Sequence, residues 1–293
     1  MKTYLDCIPC FFRQVLEGAR FAGASLKQQK MVIDELARRL PGVSLDCCPP
    51  EIARIGCAIL KKLNPRKDPY LKVKQKSNRL ALAQLEKLKN RVAHSKDRLL
   101  KAVELAIAGN IIDFGAKNNL NVEIELKKIL AQEDKLVRNK SIFHYREFKR
   151  ALKGAEKILI LGDNAGETVF DRILIEEIKM LRPEADIFYA VKSGPIINDA
   201  LPEDAIACGI DKLARIIPNG SDAPGTILSL CSREFIKIYN KADLVISKGQ
   251  GNFESLSQEK RPVFFLFMVK CPVVAENSGC RMGDMVLLYN LSK

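Results

Sequence analysis

The sequence is poor in histidine, with only two in 293 residues, His94 and His144. Neither stands at the spacing of a metal site or of a catalytic triad. Histidine is the side chain that most readily gains and loses a proton near neutral pH, so imidazole chemistry is not expected here. Carboxylate, amide and lysine side chains must therefore carry any reaction.

Long apolar runs are also missing. The longest covers residues 263–269, far short of the roughly 20 residues that cross a bilayer, and it predicts a buried strand. Residues 1–12 contain one lysine and reach Asp6 and Pro9 before any apolar run, unlike a signal peptide. We therefore expect a cytoplasmic protein with no membrane partner.

A disulfide scaffold is excluded on the same grounds, because the cytosol keeps most thiols reduced. The nine cysteines are expected to be thiols or metal ligands. Cys7 and Cys10 form a Cys-x-x-Cys motif, but no second such motif completes the four ligands of a structural zinc site. The pair can be two buried thiols, a metal-binding pair or a redox pair, and these alternatives stay open.

The formal net charge of +13 belongs to the first half of the chain. It is concentrated in residues 61–101, where 14 lysines and arginines face 3 acidic residues. Such a stretch can attract phosphate-bearing partners or form an ordinary solvated helix surface. Tyr70 is its only tyrosine, phenylalanine or tryptophan, which argues against the base stacking of a single-strand nucleic-acid binder.

Hydrophobic periodicity divides the chain into two predicted domains. Up to residue 150 apolar positions recur at three and four residues, which predicts a basic, all-helical part of about six helices. From residue 151 short β-rich runs alternate with helical segments, which indicates an α/β domain with a parallel sheet. The predicted helices of that domain include 168–181 and 226–239, and the predicted strands are 157–161, 186–191, 213–217, 243–247, 263–269 and 285–289.

Two of these strands end in polar turns that offer hard oxygen ligands. Asp163 and Asn164 follow the first strand within a glycine-flanked turn, and Asp199 follows the second. Ligand sites of open parallel sheets lie at such carboxyl ends, and carboxylate and amide oxygens suit Mg²⁺ or Mn²⁺. The alternative interpretation is local capping, for which Asp and Asn are favoured.

A third strand end carries Lys248, Gly249, Gly251 and Asn252 in another glycine turn that opens a helix. Successive backbone N–H groups and a helix start can hold a phosphoryl group, and the lysine would add a point charge. The order of residues is not that of a P-loop. Three polar glycine turns at three strand ends together favour a phosphate site over simple chain reversal.

These motifs resemble those of the damage-control phosphatase family, also known as domain of unknown function 89, with an acidic residue methyltransferase-like fold. The resemblance extends over nearly the whole chain and includes the Cys-x-x-Cys motif of a prokaryotic and archaeal subgroup. It implies a Rossmann-like, three-layer, mainly parallel sheet with a mixed edge and an N-terminal helical subdomain. The segments that carry it are 162–167, 192–199, 248–254, 270–272, 6–10, 68–70 and 109–113.

The resemblance implies a phosphatase of small phosphorylated metabolites, with damaged nucleotides or sugar phosphates as candidate substrates. The Mn²⁺, Ni²⁺, Co²⁺ or Mg²⁺ ion would be held by the residues matching Asp163, Asn164 and Asp199. We expect this ion to bind a phosphate oxygen and to activate the attacking water. The alternatives from other classes are an S-adenosylmethionine-dependent carboxyl methyltransferase and a nucleic-acid-binding protein.

The remaining expected roles concern the phosphoryl group and the water. Asp163, Glu167, Lys248 and Glu254 are the predicted catalytic residues, with Glu167 or Glu254 orienting the water. Charge on the phosphoryl oxygens would be stabilised by the predicted substrate-binding set, which comprises Lys192, Lys248, Gly249, Gly251, Asn252 and Asn110.

Overall fold

A computed structural model describes residues 1–65, 67–109 and 140–291. The first part is helical, with α1 (Ile8–Phe21), α2 (Leu26–Arg39), α3 (Pro49–Lys61), α4 (Leu71–Leu82), α5 (Leu85–Ala93) and α6 (Arg98–Ala108). The second part alternates strands and helices, in the order β1 (Lys140–Phe143), α7 (Tyr145–Gly154), β2 (Lys157–Leu161), α8 (Thr168–Leu181), β3 (Asp186–Val191), α9 (Pro202–Ala207), β4 (Arg215–Pro218), α10 (Arg233–Lys241), β5 (Leu244–Lys248), α11 (Gln250–Leu256), β6 (Phe264–Met268), α12 (Pro272–Ser278) and β7 (Met285–Tyr289).

The strands form one seven-stranded sheet in the order β1-β7-β6-β5-β2-β3-β4. The five strands from β6 to β4 are parallel to one another, whereas β7 is antiparallel to β6 and parallel to β1. The chain thus runs outward from β2 first to β3 and β4, and later to β5 and β6. This reversal creates a switch point at the carboxyl ends of β2 and β5, where α/β proteins bind ligands.

Helices cover both faces of the sheet, because its central strands are apolar on both sides. In β2, Ile158 and Ile160 belong to one buried cluster, and Leu159 and Leu161 belong to another. Successive residues of a strand point to opposite faces, so a continuous apolar run signals a strand buried between two layers. Helices α4 to α9 contribute to the first cluster, and α10, α11 and α12 contribute to the second.

The N-terminal helices divide into two groups by packing. Helices α1, α2 and α3 enclose a separate small core with Phe11, Val15, Leu36, Ile52 and Ile59 at its centre. Helices α4, α5 and α6 instead pack into the core on one face of the sheet, and α6 is buried along most of its length. The boundary predicted at residue 150 falls inside α7.

Most of the predicted sheet is confirmed, with differences at the edges. The predicted strands 157–161, 186–191 and 285–289 and the predicted helix 168–181 match β2, β3, β7 and α8. Strand β1 was not predicted, since it lies among residues assigned to helices. It pairs with β7 at the edge of the sheet, and its four residues, three half-buried and one exposed, leave too short a pattern to detect.

The helix predicted over 226–239 is wrong at its start. The structure has a short 3-10 turn at Leu228–Leu230 and then α10 from Arg233 to Lys241. The Ser232 side chain accepts a hydrogen bond from the Phe235 amide and caps α10 there. The strand predicted over 213–217 likewise starts later, because Leu213 and Ala214 donate hydrogen bonds to Ile210 in the preceding turn.

No helix among the described residues is long and apolar enough to cross a membrane.

Candidate active site

The strand ends at the switch point lie at the same level in the sheet. Leu161 of β2 is paired with Ala190 of β3 on one side and with Ser247 of β5 on the other. The three polar turns identified in the sequence leave the sheet directly after these residues. The fold therefore gathers the turns at 162–167, 192–199 and 249–252 around one crevice.

The predicted metal ligands are joined by the backbone of the first two turns. Asn164 and Asp199 form an isolated antiparallel bridge. The Ala200 amide donates to the Asp163 carbonyl at 2.8 Å, and the Ala165 amide donates to the Asn198 carbonyl at 2.9 Å. Asp163, Asn164 and Asp199 thus lie in two cross-linked segments. The expectation that these two strands are neighbours is correct.

The Asn164 amide group connects two carboxylates. Its nitrogen donates to Asp163 Oδ2 at 3.0 Å and to Glu167 Oε1 at 2.8 Å. Glu167 is fully buried, and burial together with the negative charge of Asp163 raises its pKa well above the usual range. The turn therefore holds Asp163 at the half-exposed surface of the crevice, with Glu167 beneath it.

Gly249 is required where it stands. Its backbone adopts φ +80°, and a Cβ built on it would lie 1.8 Å from Asp163 Oδ2. Any side chain would collide with the carboxylate, and the conformation itself favours glycine. The backbone of Gly249, at the start of the turn after β5, thus packs directly against the Asp163 carboxylate and leaves no room for a side chain.

Lys248 lies deeper in the protein than its predicted contact with a phosphoryl group requires. Its side chain has no exposed area, and its Nζ lies 2.7 Å from Asp171 Oδ1, 2.8 Å from the Ala106 carbonyl and 3.7 Å from Glu167 Oε2. Tyr189 donates to the other Asp171 oxygen at 2.8 Å. Burial alone would lower the Lys248 pKa, but the carboxylates of Asp171 and Glu167 outweigh it and raise the pKa. The ammonium group lies under the crevice in a buried ion pair.

Lys192 is placed in a similar way. It is 3% exposed, donates to the Gly225 carbonyl, and its Nζ lies 3.5 Å from Asp199 Oδ2. It therefore balances the charge of a proposed metal ligand from within the protein. A direct contact of Lys192 with substrate stays a prediction.

Asn252 ties the third turn to its neighbours. Its amide nitrogen donates to the carbonyls of Lys248 at 2.7 Å and Gly162 at 3.2 Å, and its oxygen accepts from Thr226 at 2.7 Å. The side chain is 1% exposed, so its contacts hold the ends of β2 and β5 together. Gly251 approaches Gly225 in the same place. The predicted contact of Gly251 and Asn252 with phosphate stays a prediction and would be made by their backbone groups.

Glu254 lies on α11 beside the cysteine motif. Its carboxylate accepts from Gln250 at 2.8 Å, and burial raises its pKa to about 7.

Cys7 and Cys10 stand at the start of α1. Burial raises the pKa of both thiols, that of Cys10 to about 11, and the negative charge of Glu254 adds a smaller effect in the same direction. All nine cysteines are free thiols, and the role of the motif stays open. Asn110, also predicted to bind substrate, lies outside the described residues.

A clamp from the helical region fixes the first turn. Asn78 of α4 accepts from the Gly166 amide at 2.7 Å and donates to Asp204 at 2.8 Å. Asp204 also lies 3.4 Å from Lys74 Nζ, which is 1% exposed. Ser77 packs so closely on Gly166 that a Cβ there would lie 2.9 Å from it. Helix α4 thereby sets the position of the turn that carries the proposed ligands.

Two charged residues of the site were not assigned roles from the sequence. Asp171 lies one helical turn after Glu167 on α8, so its spacing on an otherwise apolar face was a usable signal. Lys270 follows β6, the next strand end beyond β5. Its half-buried side chain carries a positive charge that lowers the pKa of both Glu167 and Glu254, against the larger effect of burial. Its position directly after a predicted strand was the signal that could have identified Lys270 as a residue of the site.

The residues present fit a divalent cation. Two carboxylates and one amide supply hard oxygen donors, in segments joined by backbone hydrogen bonds and packed against the Gly249 backbone. No group of three or more His, Cys, Asp or Glu residues in the described ranges is arranged to hold a metal ion. The set of Asp163, Asn164 and Asp199 contains only two such residues, because its third member is an amide.

Fold and crevice together define a doubly wound α/β protein with a polar ligand site at its switch point. The chain belongs to the damage-control phosphatase ARMT1-like family, whose model matches residues 3–286. This confirms the resemblance found in the sequence, whereas membership of the Cys-x-x-Cys subgroup stays a prediction.

Individual relatives agree with this membership. An uncharacterised protein from Methanocaldococcus jannaschii is 38% identical over an alignment 298 positions long, gaps included, which covers 98% of this chain and 95% of that protein. A protein from Pyrococcus horikoshii named a damage-control phosphatase is 37% identical over an alignment 303 positions long, gaps included, which covers 100% of both chains. A crystal structure of a domain-of-unknown-function-89 protein from Pyrococcus horikoshii has a TM-score of 0.88 at 33% identity, over 99% of both chains. The α/β fold with a helical N-terminal region is thereby confirmed.

Proposed function

We propose that the protein is a metal-dependent phosphatase that hydrolyses phosphate monoesters of small metabolites. The observation that carries the proposal is the bridge between the first two turns, which gathers Asp163, Asn164 and Asp199 at the switch point. Relatives named damage-control phosphatase support the reaction class. A divalent cation would supply positive charge for the phosphoryl oxygens and would lower the pKa of a water molecule.

In this proposal Glu167 orients the side-chain amide of Asn164. It accepts from the amide nitrogen at 2.8 Å, which leaves the amide oxygen, on the opposite side of the same group, to serve as a ligand. Since Glu167 is fully buried, it has no direct path to a substrate. Glu167 is therefore a positioning residue rather than the group that orients the water.

The three lysines at the strand ends around the crevice differ in their burial. Lys192 and Lys248 balance the buried carboxylates of Asp199 and Asp171, which lets several negative charges stand close together. Lys270 is the half-buried lysine at a strand end, and we assign to it the contact with the phosphoryl group. The first amides of α11, which a helix leaves without internal acceptors, would add hydrogen bonds to the same group.

Hydrolysis of p-nitrophenyl phosphate tests the proposal directly. We expect release of p-nitrophenolate when Mn²⁺ is added to metal-free protein, and its loss on chelation. Asp163→Asn and Asp199→Asn should each lower kcat by more than the roughly 10- to 100-fold typical of groups that only support a metal ligand. Asp46→Asn, at an exposed carboxylate paired with Lys2, is the matched control and should keep full activity.

Binding of Mn²⁺ provides a second readout. Calorimetry should detect one bound Mn²⁺ ion in the wild type and in Asp46→Asn. In Asp163→Asn and Asp199→Asn the ion should bind with lower affinity. Full turnover by Asp163→Asn or Asp199→Asn at saturating Mn²⁺ would overturn the assignment of these residues.

A further inference from the structure

A pocket of about 240 Å³ lies beside the crevice. It is enclosed by α1, α3, the segment before α4 and residues 195–197. Its wall is mainly apolar, with Val15, Leu60, Pro69, Pro195 and Ile197 among the lining side chains. Whole small-molecule ligands occupy clefts of roughly 300–1,000 Å³, so this volume suits one ring-sized part of a ligand.

The pocket adjoins the proposed metal site through one short segment. Pro195 and Ile197 line the pocket, and Asp199 follows two residues later. Cys57, another lining residue, is close enough to the site that the charges of Asp199 and Lys192 act on its thiol, whose pKa burial raises to about 12. A ligand that reaches the cation from this side would place its remaining atoms in the pocket.

The pocket is held in shape by buried contacts. Asp68 in its wall accepts from the Tyr70 amide at 2.8 Å and lies 2.7 Å from Lys74 Nζ. Ile197 adopts φ +44°, a conformation that a β-branched residue rarely takes. Such strain persists where the surroundings determine the backbone, and it occurs often at ligand sites. Here it accompanies an apolar side chain that lines the pocket.

We propose that this pocket binds the alcohol part of the phosphate monoester and selects alcohols that carry an apolar, ring-sized group over polyhydroxylated ones. The proposal rests on the proposed phosphatase function. Burial of apolar area favours binding by roughly 25 cal/mol per Å², whereas each hydroxyl group placed against such a wall loses its hydrogen bonds to water. Among the polar lining residues, Lys61 and Lys67 are exposed and Asp68 is paired with Lys74. Gln14 adds one half-buried amide group to a wall that is mainly apolar, which is too little to compensate several buried hydroxyl groups.

Two primary alkyl phosphates of similar leaving-group chemistry form the test. With Mn²⁺, wild-type protein should hydrolyse 3-phenylpropyl phosphate with a kcat/KM at least about tenfold above that for glycerol 1-phosphate. The difference should appear mainly in KM, because both esters present the same phosphoryl group to the same site.

Cys57→Phe fills the pocket and should reduce this selectivity ratio at least about tenfold. The matched control is Met31→Phe, a similar change at a residue 56% exposed on α2, which should keep the wild-type ratio. Leu60→Ala is a second pocket variant that removes bulk instead of adding it. It should lower the ratio by removing part of the apolar wall.

The outcomes separate the inference from the function on which it rests. If both esters are hydrolysed with equal kcat/KM and Cys57→Phe changes nothing, the pocket assignment is wrong and the phosphatase stands. If neither ester is hydrolysed, calorimetry with 3-phenylpropylphosphonate and methylphosphonate decides. Tighter binding of the phenylpropyl compound that Cys57→Phe abolishes would support the pocket, and equal binding would overturn it.

Discussion

The Lys248 ammonium group has no exposed surface and lies 2.7 Å from Asp171 Oδ1. Removal of one partner from a buried ion pair leaves the other charge without compensation, which costs about 3–5 kcal/mol. We therefore expect Lys248→Met to lower the free energy of unfolding by about this amount in urea titrations. Activity should fall as well, because the Asp171 charge would then disturb Glu167 and the turn above it.

The double variant Lys248→Met/Asp171→Asn tests the cause. It should recover part of the lost stability, since the uncompensated charge is gone. Lys241→Met, at an exposed residue, serves as the control. If Lys248→Met retained wild-type stability and lost only its inhibition by inorganic phosphate, Lys248 would contact the phosphoryl group as first predicted.

Glu254 provides a pH-dependent prediction away from the proposed ligands. Its folded-state pKa of about 7 lies above the ordinary value of 4.5, because burial outweighs the hydrogen bond from Gln250 and the charges of the N-terminal ammonium group and Lys270. In the unfolded chain the carboxyl group ionises near pH 4.5, whereas in the folded protein it keeps its proton up to about pH 7. Wild-type stability therefore declines across this window relative to Glu254→Gln, and the difference is constant above it.

Urea titrations of both proteins from pH 4.5 to 8 measure this difference. Glu184→Gln, at an exposed position, controls for the general effect of one lost negative charge. A stability difference between wild type and Glu254→Gln that does not change with pH would show that the folded protein leaves this carboxyl group at its ordinary pKa.

At the scale of elements, helix α4 and the first turn form one unit. Asn78 holds the Gly166 amide at 2.7 Å and Asp204 at 2.8 Å, and all three are shielded from solvent. Asn78→Ala would leave a buried donor and a buried acceptor unsatisfied, at a cost of about 1–3 kcal/mol each. We expect Mn²⁺ affinity and kcat to fall about tenfold or more, because misplaced supporting groups have effects of this size.

The matched control for this prediction is Asn90→Ala at an exposed position on α5. It should change neither Mn²⁺ affinity nor kcat. If Asn78→Ala lost stability but kept wild-type Mn²⁺ affinity, α4 would support the fold without positioning the ligands.

Sequence patterns predicted best the elements that combine a long apolar pattern with clear polar residues at their ends. Strands β2 and β3 and helix α8 carry long apolar patterns, and their bounds were predicted without error. Strand β1 at the edge is short and half exposed, so it lacks such a pattern. The start of α10 was missed because apolar residues before Ser232 resemble another helical turn, whereas the chain there forms a 3-10 turn.

For the site, sequence patterns predicted which residues follow the strand ends, but not how deeply each side chain is buried. Asp163, Asn164 and Asp199 were placed together correctly, since neighbouring parallel strands bring their ends to one edge. The buried positions of Lys192 and Lys248 depend on contacts with Gly225 and Ala106, far away in sequence. No local pattern encodes such contacts, so a lysine that faces a ligand and one that pairs inside look alike.

At the scale of the whole molecule, the basic stretch 61–101 proves to be heterogeneous. Lys74 is 1% exposed and neutralises Asp68 and Asp204, so it cannot attract a substrate from solution. Lys72 and Lys76 flank it on the exposed side of the same helix. The buried side of α4 rests on the first turn through Asn78, and we expect the two lysines on its exposed side to act on an approaching anion.

Lys72→Gln/Lys76→Gln therefore tests whether the net charge of +13 serves catalysis. We expect wild-type kcat/KM to decline as NaCl is raised while kcat stays nearly constant, because screening beyond a Debye length of about 8 Å weakens the attraction of a dianionic ester but not the reaction itself. The double variant should show a flatter salt dependence. Lys157→Gln/Lys212→Gln removes two exposed charges near the amino ends of β2 and β4, at the opposite edge of the sheet, and should retain the wild-type slope. Equal slopes in all three proteins would mean that these lysines only solvate a helix surface.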